Sequence, residues 1–80
     1  MPRNDMKTID LHGMFVNDAK AMLEREITKA PENIRRIKVI HGSNNGTALR
    51  AMVRKRIRSP RIEAIVPTFS NDGETIIYLK

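Results

Sequence analysis

Apolar residues recur at intervals of three and four between positions 16 and 30, the spacing that gathers side chains on one face of an α-helix. They are Val16, Ala19, Leu23, Ile27 and Ala30. Asn17 or Asp18 can cap the start of this helix, and Pro31 ends it because a proline restricts the residue before it.

A second helix is predicted from Ala48 to Arg58, where the inward-facing residues are Leu49, Met52, Val53 and Ile57. Thr47 is its expected N-cap, and Ser59-Pro60 is its stop.

Four short β-branched or alternating runs predict strands. They are Met6–Leu11, Ile37–Ile40, Ile62–Val66 and Thr75–Leu79. Asn71-Asp72-Gly73 supplies turn chemistry for a final hairpin, and Pro67 indicates the end or edge of the third strand. The order βαβαββ predicts a two-layer α/β sandwich, with two helices and a mixed sheet of about four strands. Residues 1–5 are expected to form a flexible arm, and residues 6–80 a single domain.

Composition narrows the class of protein. The chain has 80 residues, of which 40% are hydrophobic, and contains no cysteine, so disulfides and thiolate zinc sites are excluded. Its polar start and the absence of a long apolar run predict a cytoplasmic protein without a membrane segment. A domain of this size needs no partner subunit, and a monomer is expected.

The charge is concentrated in one stretch. The chain carries 15 Lys+Arg against 9 Asp+Glu, and no acidic residue occurs between positions 33 and 62. Arg50, Arg54 and Arg58 recur every four residues, so we expect them to share one exposed helix face. Such a block favours a polyanionic partner, with nucleic acid first and an anionic membrane second; the alternative is a solvated basic surface.

The two histidines follow predicted strands, and each precedes a glycine. His12 follows the first strand and His41 the second, and ligands of open α/β sheets bind at the carboxyl ends of parallel strands. Asp10 and His12 share a strand face, where the carboxylate can orient the imidazole for acid–base chemistry. Asp10 is also the residue expected to hold a divalent metal, if one binds. The alternative is a purely structural Asp–His pair.

The loop after His41 leads into a helix N-terminus, where free N–H groups attract anions. Gly42 and Gly46 permit a close backbone approach. Arg50 lies in the first turn of this helix, which is unfavourable for a cation unless a phosphate binds there. An Arg50 side chain turned to solvent is the alternative.

Met14 and Phe15 follow the first histidine junction. We expect them to pack the helix entry as an N-terminal staple, the alternative being contact with nucleic-acid bases.

Two motifs resemble those of the small MutS-related (Smr) domain family. IDLHG, residues 9–13, looks like the family's L-D-x-H motif, with Ile9 in place of the usual leucine. VIHGSNNGTALR, residues 39–50, looks like H-G-x-G followed by Gly, Leu and Arg, with Asn44 where that motif commonly has glycine. The resemblance extends from about residue 7 to residue 79 and includes the βαβαββ order.

The resemblance implies a fold like that of the C-terminal domain of translation initiation factor three, nucleic-acid binding, and nicking of DNA or cleavage of RNA. It makes Asp10, His12 and His41 the candidate catalytic residues. The candidate nucleic-acid and phosphate ligands are Gly42, Ser43, Asn44, Gly46, Thr47, Arg50, Arg54 and Arg58.

The leading hypothesis is therefore an endonuclease acting on DNA or RNA. On RNA, Asp10 and His12 would deprotonate the 2′-hydroxyl, with His41 or Arg50 assisting. On DNA, water is the nucleophile and Mg²⁺ or Mn²⁺ near Asp10 would help; no cofactor is required for the fold. The alternatives are a non-catalytic nucleic-acid-binding module and a domain that docks on a ribosome or a DNA-repair complex.

Overall fold

The predicted order of elements, βαβαββ, is confirmed by a computed structural model that describes residues 5–42, 47–68 and 70–80. The strands are β1 (Met6–Asp10), β2 (Arg36–Ile40), β3 (Ile62–Pro67) and β4 (Glu74–Leu79). The helices are α1 (Val16–Lys29) and α2 (Thr47–Ala51), and a π-helical segment (Met52–Arg56) continues α2.

The sheet is mixed, and its strand order is β1-β2-β4-β3. Strands β1 and β2 are parallel neighbours, whereas β4 is antiparallel to both β2 and β3. Pro67 is the last residue of β3, an edge strand, as predicted, because a proline cannot donate to the ladder.

Strand alternation divides the sheet into a covered face and an open face. In β2, Ile37 and Val39 are fully buried, whereas Lys38 between them is half-buried. The same alternation recurs in β4, where Ile77 is fully buried and Tyr78 is exposed. The two helices supply the rest of the core through fully buried residues such as Leu23, Ile27, Met52 and Val53. In the described part of the chain, neither helix has the length and apolar character that crossing a bilayer requires.

Helix α1 starts differently from the prediction. Its N-cap is Phe15, which makes no side-chain cap hydrogen bond, and Asn17 and Asp18 lie inside the helix. Asp18 still contributes, since an acidic residue in the first turn interacts favourably with the helix dipole. At the other end, the Arg61 Nη1 donates to the carbonyl of Ile27 at 3.0 Å and also to that of Ala30.

The second helix is shorter and less regular than predicted. Thr47 lies inside the helix rather than before it, α-helical geometry ends at Ala51, and the π-helical turns end at Arg56. Arg58 is therefore outside the helix, and its backbone N–H donates to the Glu24 carboxylate at 2.9 Å.

The last residue of the predicted flexible arm, Asp5, is held in place by hydrogen bonds. Asp5 accepts hydrogen bonds at its carbonyl from the backbone N–H groups of Arg35 and Arg36, and its carboxylate lies 2.8 Å from the Arg36 guanidinium. This residue is anchored beside β2; residues 1–4 lie outside the described ranges.

Candidate functional site

The carboxyl ends of β1 and β2 lie side by side, as the two histidine junctions predict. Asp10 is in register with Ile40, and the Leu11 N–H extends the ladder by donating to the Ile40 carbonyl at 2.7 Å. Beyond the strands, a Cβ placed on Gly42 would lie 3.7 Å from the Cβ of His12. His12 and Gly42 are therefore immediate neighbours, although they are far apart in sequence.

Asp10 and His12 form a hydrogen-bonded pair at this edge. The His12 Nδ1 lies 2.6 Å from Asp10 Oδ1, and the His12 backbone N–H donates to the same oxygen at 3.0 Å. These bonds, chiefly the side-chain one, lower the pKa of Asp10, which stays ionised. A carboxylate only accepts hydrogen bonds, so Nδ1 carries the proton and, in the neutral ring, Nε2 keeps a free lone pair. The His12 side chain is 71% exposed, so this nitrogen is accessible to a ligand.

A tight turn presents His12. The Met14 N–H donates to the Leu11 carbonyl at 3.0 Å, and Gly13 has a φ of 80°. This is the conformation of a type II turn, which requires a positive φ at its third residue and so favours glycine there.

The two residues after the turn have different environments. Met14 packs partly buried against the core, as a staple residue would. Phe15 is 82% exposed, so the expectation that it packs the helix entry is wrong.

His41 lies on the covered face of the sheet. It continues the buried alternation of Ile37 and Val39, and it is only 1% exposed. Its Nδ1 lies 3.1 Å from the Gly42 carbonyl, and its Nε2 lies 2.9 Å from the Thr75 hydroxyl. Burial is the main cause that lowers the pKa of His41, and the neighbouring Arg54 lowers it further.

These partners determine the proton positions on His41. Because a carbonyl only accepts, Nδ1–H donates to Gly42, and the neutral ring then accepts at Nε2 from the Thr75 O–H. The Thr75 oxygen in turn accepts from the Arg54 Nε at 3.0 Å. We call this chain of hydrogen bonds, Arg54–Thr75–His41–Gly42, the buried relay.

His41 therefore does not face Asp10 and His12, the two residues grouped with it as catalytic candidates. Alternation puts Asp10 and His12 on exposed positions of β1 and its extension, whereas His41 points into the core. Both His41 nitrogens are already bonded, so its contribution is to hold Gly42 and Arg54 in place.

The turn between β3 and β4 forms the third part of the site. The sequence predicts this turn but not that it lies beside the end of β2. The Gly73 carbonyl accepts from the backbone N–H groups of His41 at 2.9 Å and Gly42 at 3.1 Å. A methyl group on Gly73 would lie 3.3 Å from the carbonyl carbon of Gly42, so the turn packs closely against this strand end. Asp72, in the same turn, is 66% exposed and pairs with Arg50.

The prediction that Arg50, Arg54 and Arg58 share one exposed helix face is wrong, because the helix ends before Arg58. Arg50 forms its ion pair with Asp72, and the Arg54 Nη2 lies 4.0 Å from the same carboxylate. Both side chains are more than two-thirds covered, at 28% and 21% exposure. Arg58 lies beyond the end of the helix and is exposed, so it does not continue the helix face of this pair.

Part of the predicted phosphate loop can be placed. Gly42 has a φ of 85°, a conformation that disfavours any residue with a Cβ. Thr47 is the exposed first residue of α2. Ser43, Asn44 and Gly46 lie outside the described residues.

The residues around Asp10 do not fit a resident metal ion. Among residues 5–42, 47–68 and 70–80, no three His, Asp or Glu side chains are grouped as a metal site would require. Asp10 contributes one carboxylate, and one of its oxygens already accepts two hydrogen bonds from His12. Within the described residues, a divalent ion at Asp10 would have a single protein ligand plus water.

Comparisons with known proteins agree with this fold. The family model of the Smr domain matches residues 9–80. Among solved structures, the crystal structure of the Smr domain of Thermus thermophilus MutS2 is similar, with a TM-score of 0.73 and 23% identity. The match covers 92% of this chain and 98% of that one, which makes the fold the same throughout. No curated protein matches the chain.

Proposed function

The chain belongs to the Smr domain family, which is associated with nucleic-acid binding and nuclease activity, and we propose that it is an endoribonuclease that cleaves by transesterification. The observation that carries the proposal is the Asp10–His12 pair at an exposed strand end. A positioned imidazole with one nitrogen bonded to a carboxylate and the other free is a suitable general base.

In this reaction, His12 Nε2 takes the proton of a 2′-hydroxyl. The 2′-oxygen then attacks the adjacent phosphorus, and the bond from phosphorus to the 5′-oxygen breaks. The products are a 2′,3′-cyclic phosphate and a 5′-hydroxyl, whose proton comes from water. A positioned general base contributes about 10²–10⁴-fold to such a step.

Asp10 is the positioning residue of this pair. Its carboxylate holds Nδ1 protonated, which leaves the lone pair on the nitrogen that points away from it. It also stabilises the imidazolium that forms when Nε2 takes the proton, as an ionised carboxylate does.

Arg50 and Arg54 are suited to hold the substrate phosphate. They lie around the β3–β4 turn, which contacts Gly42, and Gly42 in turn contacts His12. A phosphate would replace the Asp72 carboxylate as their partner, because both groups accept charge-assisted hydrogen bonds from guanidinium. The buried relay fixes Arg54 through Thr75 for this contact.

The test is cleavage of a labelled single-stranded RNA, compared with the same RNA carrying 2′-O-methyl groups and with DNA of the same sequence, each with and without EDTA. We expect cleavage of the unmodified RNA alone, unaffected by EDTA, with cyclic phosphate ends. His12→Gln should lower the rate by about 10²–10⁴-fold while leaving binding unchanged. Cleavage of 2′-O-methyl RNA or of DNA, or inhibition by EDTA, would contradict the 2′-hydroxyl route.

A charge-matched control accompanies the variant of the positioning residue. Asp10→Asn and Glu63→Gln each remove one negative charge from an exposed strand position. Only Asp10→Asn should slow cleavage. Equal effects would mean that net charge, rather than the pair, controls the rate.

The second candidate is a nucleic-acid-binding module without catalysis. The exposure of His12 favours this candidate, because water competes with the substrate hydroxyl for a solvent-exposed imidazole. It predicts that all three substrates bind and none is cut. Docking on a protein surface of a ribosome or a repair complex would depend less on salt than nucleic-acid binding does, because phosphate binding by arginines weakens steeply as the salt concentration rises.

A further inference from the structure

Phe15 is a residue that neither the helix nor the core explains. Its side chain is 82% exposed, the largest value among the big apolar residues of the described chain. It occupies the N-cap of α1 without a side-chain cap bond, a position where Ser, Thr, Asp and Asn are preferred. An exposed phenyl ring at a cap therefore contributes little to folding.

The backbone on both sides of Phe15 is fixed. The Leu11–Met14 turn precedes it, and its own carbonyl accepts the Ala19 N–H at 2.9 Å as α1 begins. His12 is only three residues away, at the second position of that turn. The ring is thus attached to a rigid support next to the proposed general base.

A series of contacts leads from His12, three residues before Phe15, to the arginines. After His12 comes Gly42, whose backbone faces the His12 Cβ. Gly42 contacts Gly73, and the neighbouring Asp72 pairs with Arg50. An imidazole base, a glycine and a cation are therefore connected through contacts, and an exposed aromatic ring lies three residues along the chain from the imidazole. These are the groups that a nucleotide with its phosphate requires.

We propose that Phe15 stacks on an unpaired base of the nucleotide whose phosphodiester lies at His12, so that the site selects single-stranded nucleic acid. The proposal rests on the proposed function of the Asp10–His12 site. Aromatic side chains bind unpaired bases through their faces, with little dependence on sequence. A base inside a duplex has both faces covered by its neighbours, so the ring cannot reach it without unstacking it.

The chain contains no tryptophan, so Phe15→Trp introduces a single fluorescent reporter that can stack in the same way. Val66→Trp is the matched control, because Val66 is exposed on β3 at the opposite edge of the sheet. The titrants are a single-stranded 2′-O-methyl RNA, its duplex, and an abasic strand of equal length and charge. We expect only the first to quench the reporter at position 15, and none to quench the reporter at position 66.

Affinity for the same uncleavable single strand gives the second measurement. Phe15→Thr should weaken binding by about 5- to 150-fold, the range for losing one base–aromatic stack, while Phe15→Trp should retain the affinity. The melting temperature of Phe15→Thr should equal or exceed that of the original chain, because threonine is the better cap. Loss of affinity without loss of stability separates a binding role from a structural one.

Three results would overturn the inference: unchanged affinity of Phe15→Thr, equal binding of the abasic strand, or equal quenching by the duplex. Because the probe cannot be cleaved, these results do not depend on catalysis. If Phe15→Thr loses affinity while unmodified RNA stays intact, stacking stands and the nuclease proposal fails. If RNA is cleaved and Phe15→Thr binds and cleaves normally, the reverse holds.

Discussion

Thr75→Val tests the buried relay, because it keeps the shape of the side chain and removes only its hydroxyl. The loss leaves the His41 Nε2 without its donor in a residue that is 1% exposed. An unsatisfied buried acceptor costs about 1–3 kcal/mol. Arg54 also loses an acceptor, but its side chain is 21% exposed and can bond to water. We expect the free energy of unfolding to fall by about 2–3 kcal/mol.

The assay is thermal and urea unfolding followed by circular dichroism. In a domain of this size, about 1 kcal/mol lowers the melting temperature by roughly 4–8 °C, so Thr75→Val should melt about 8–24 °C lower.

Two controls make the result specific. Thr75→Ser keeps the hydroxyl and loses one methyl group, at a cost of about 1 kcal/mol. Thr8→Val makes the same chemical change at an exposed position of β1, where the effect should stay within about 0.5 kcal/mol. If Thr75→Val is no more destabilising than Thr8→Val, the relay does not stabilise the fold and the reasoning is refuted.

Three further predictions follow from the same contacts. Burial lowers the pKa of His41 in the folded chain, so as the pH falls the unfolded chain is protonated at this residue first. The free energy of unfolding should therefore be highest above about pH 6.5 and should fall below it by at most about 1.4 kcal/mol per pH unit. A urea midpoint that does not change between pH 7.5 and 5.5 would contradict this. Asp72→Asn removes the carboxylate that competes with phosphate for the arginines, so affinity for single-stranded RNA should rise about fivefold. The control Glu63→Gln should raise the affinity by less than about twofold. Equal increases would mean that net charge alone causes the effect. In Gly13→Ala the new methyl group would contact no neighbouring atom, but it would have to be accommodated at a φ of 80°. The free energy of unfolding should therefore fall by about 1–2 kcal/mol. An unchanged melting temperature would show that the turn changes its conformation.

The fold could be predicted from the sequence because side-chain spacing differs between helices and strands. The apolar interval of three and four placed α1 within one residue of its observed end, and the runs around Ile37 and Ile77 placed β2 and β4 equally well. The position of β4 inside the sheet was not predicted, since hairpin chemistry fixes only that β3 and β4 pair. The π-helical turns were also missed, because the apolar spacing from Leu49 to Ile57 fits an α-helix.

The site was predicted in part, for reasons that differ between its residues. Asp10 and His12 pair because residues two apart on a strand share a face, which local sequence reveals. The same rule applied to Ile37, Val39 and His41 predicts a buried imidazole. Applied to Thr75, Ile77 and Leu79, it predicts a buried hydroxyl. The ion pair between Asp72 and Arg50 joins residues 22 apart, and no local pattern records such a contact.

Strand β4 is the last element along the chain, yet it lies between β2 and β3. During synthesis, β2 therefore waits for its second partner until residues 74–79 have left the ribosome. Until then, Ile37 and Val39 have only one neighbouring strand, and the relay lacks Thr75. A nascent domain that ends at Pro67 would expose apolar surface that chaperones recognise. Arg54 would gain its Thr75 acceptor, and the domain its complete sheet, in the same final step.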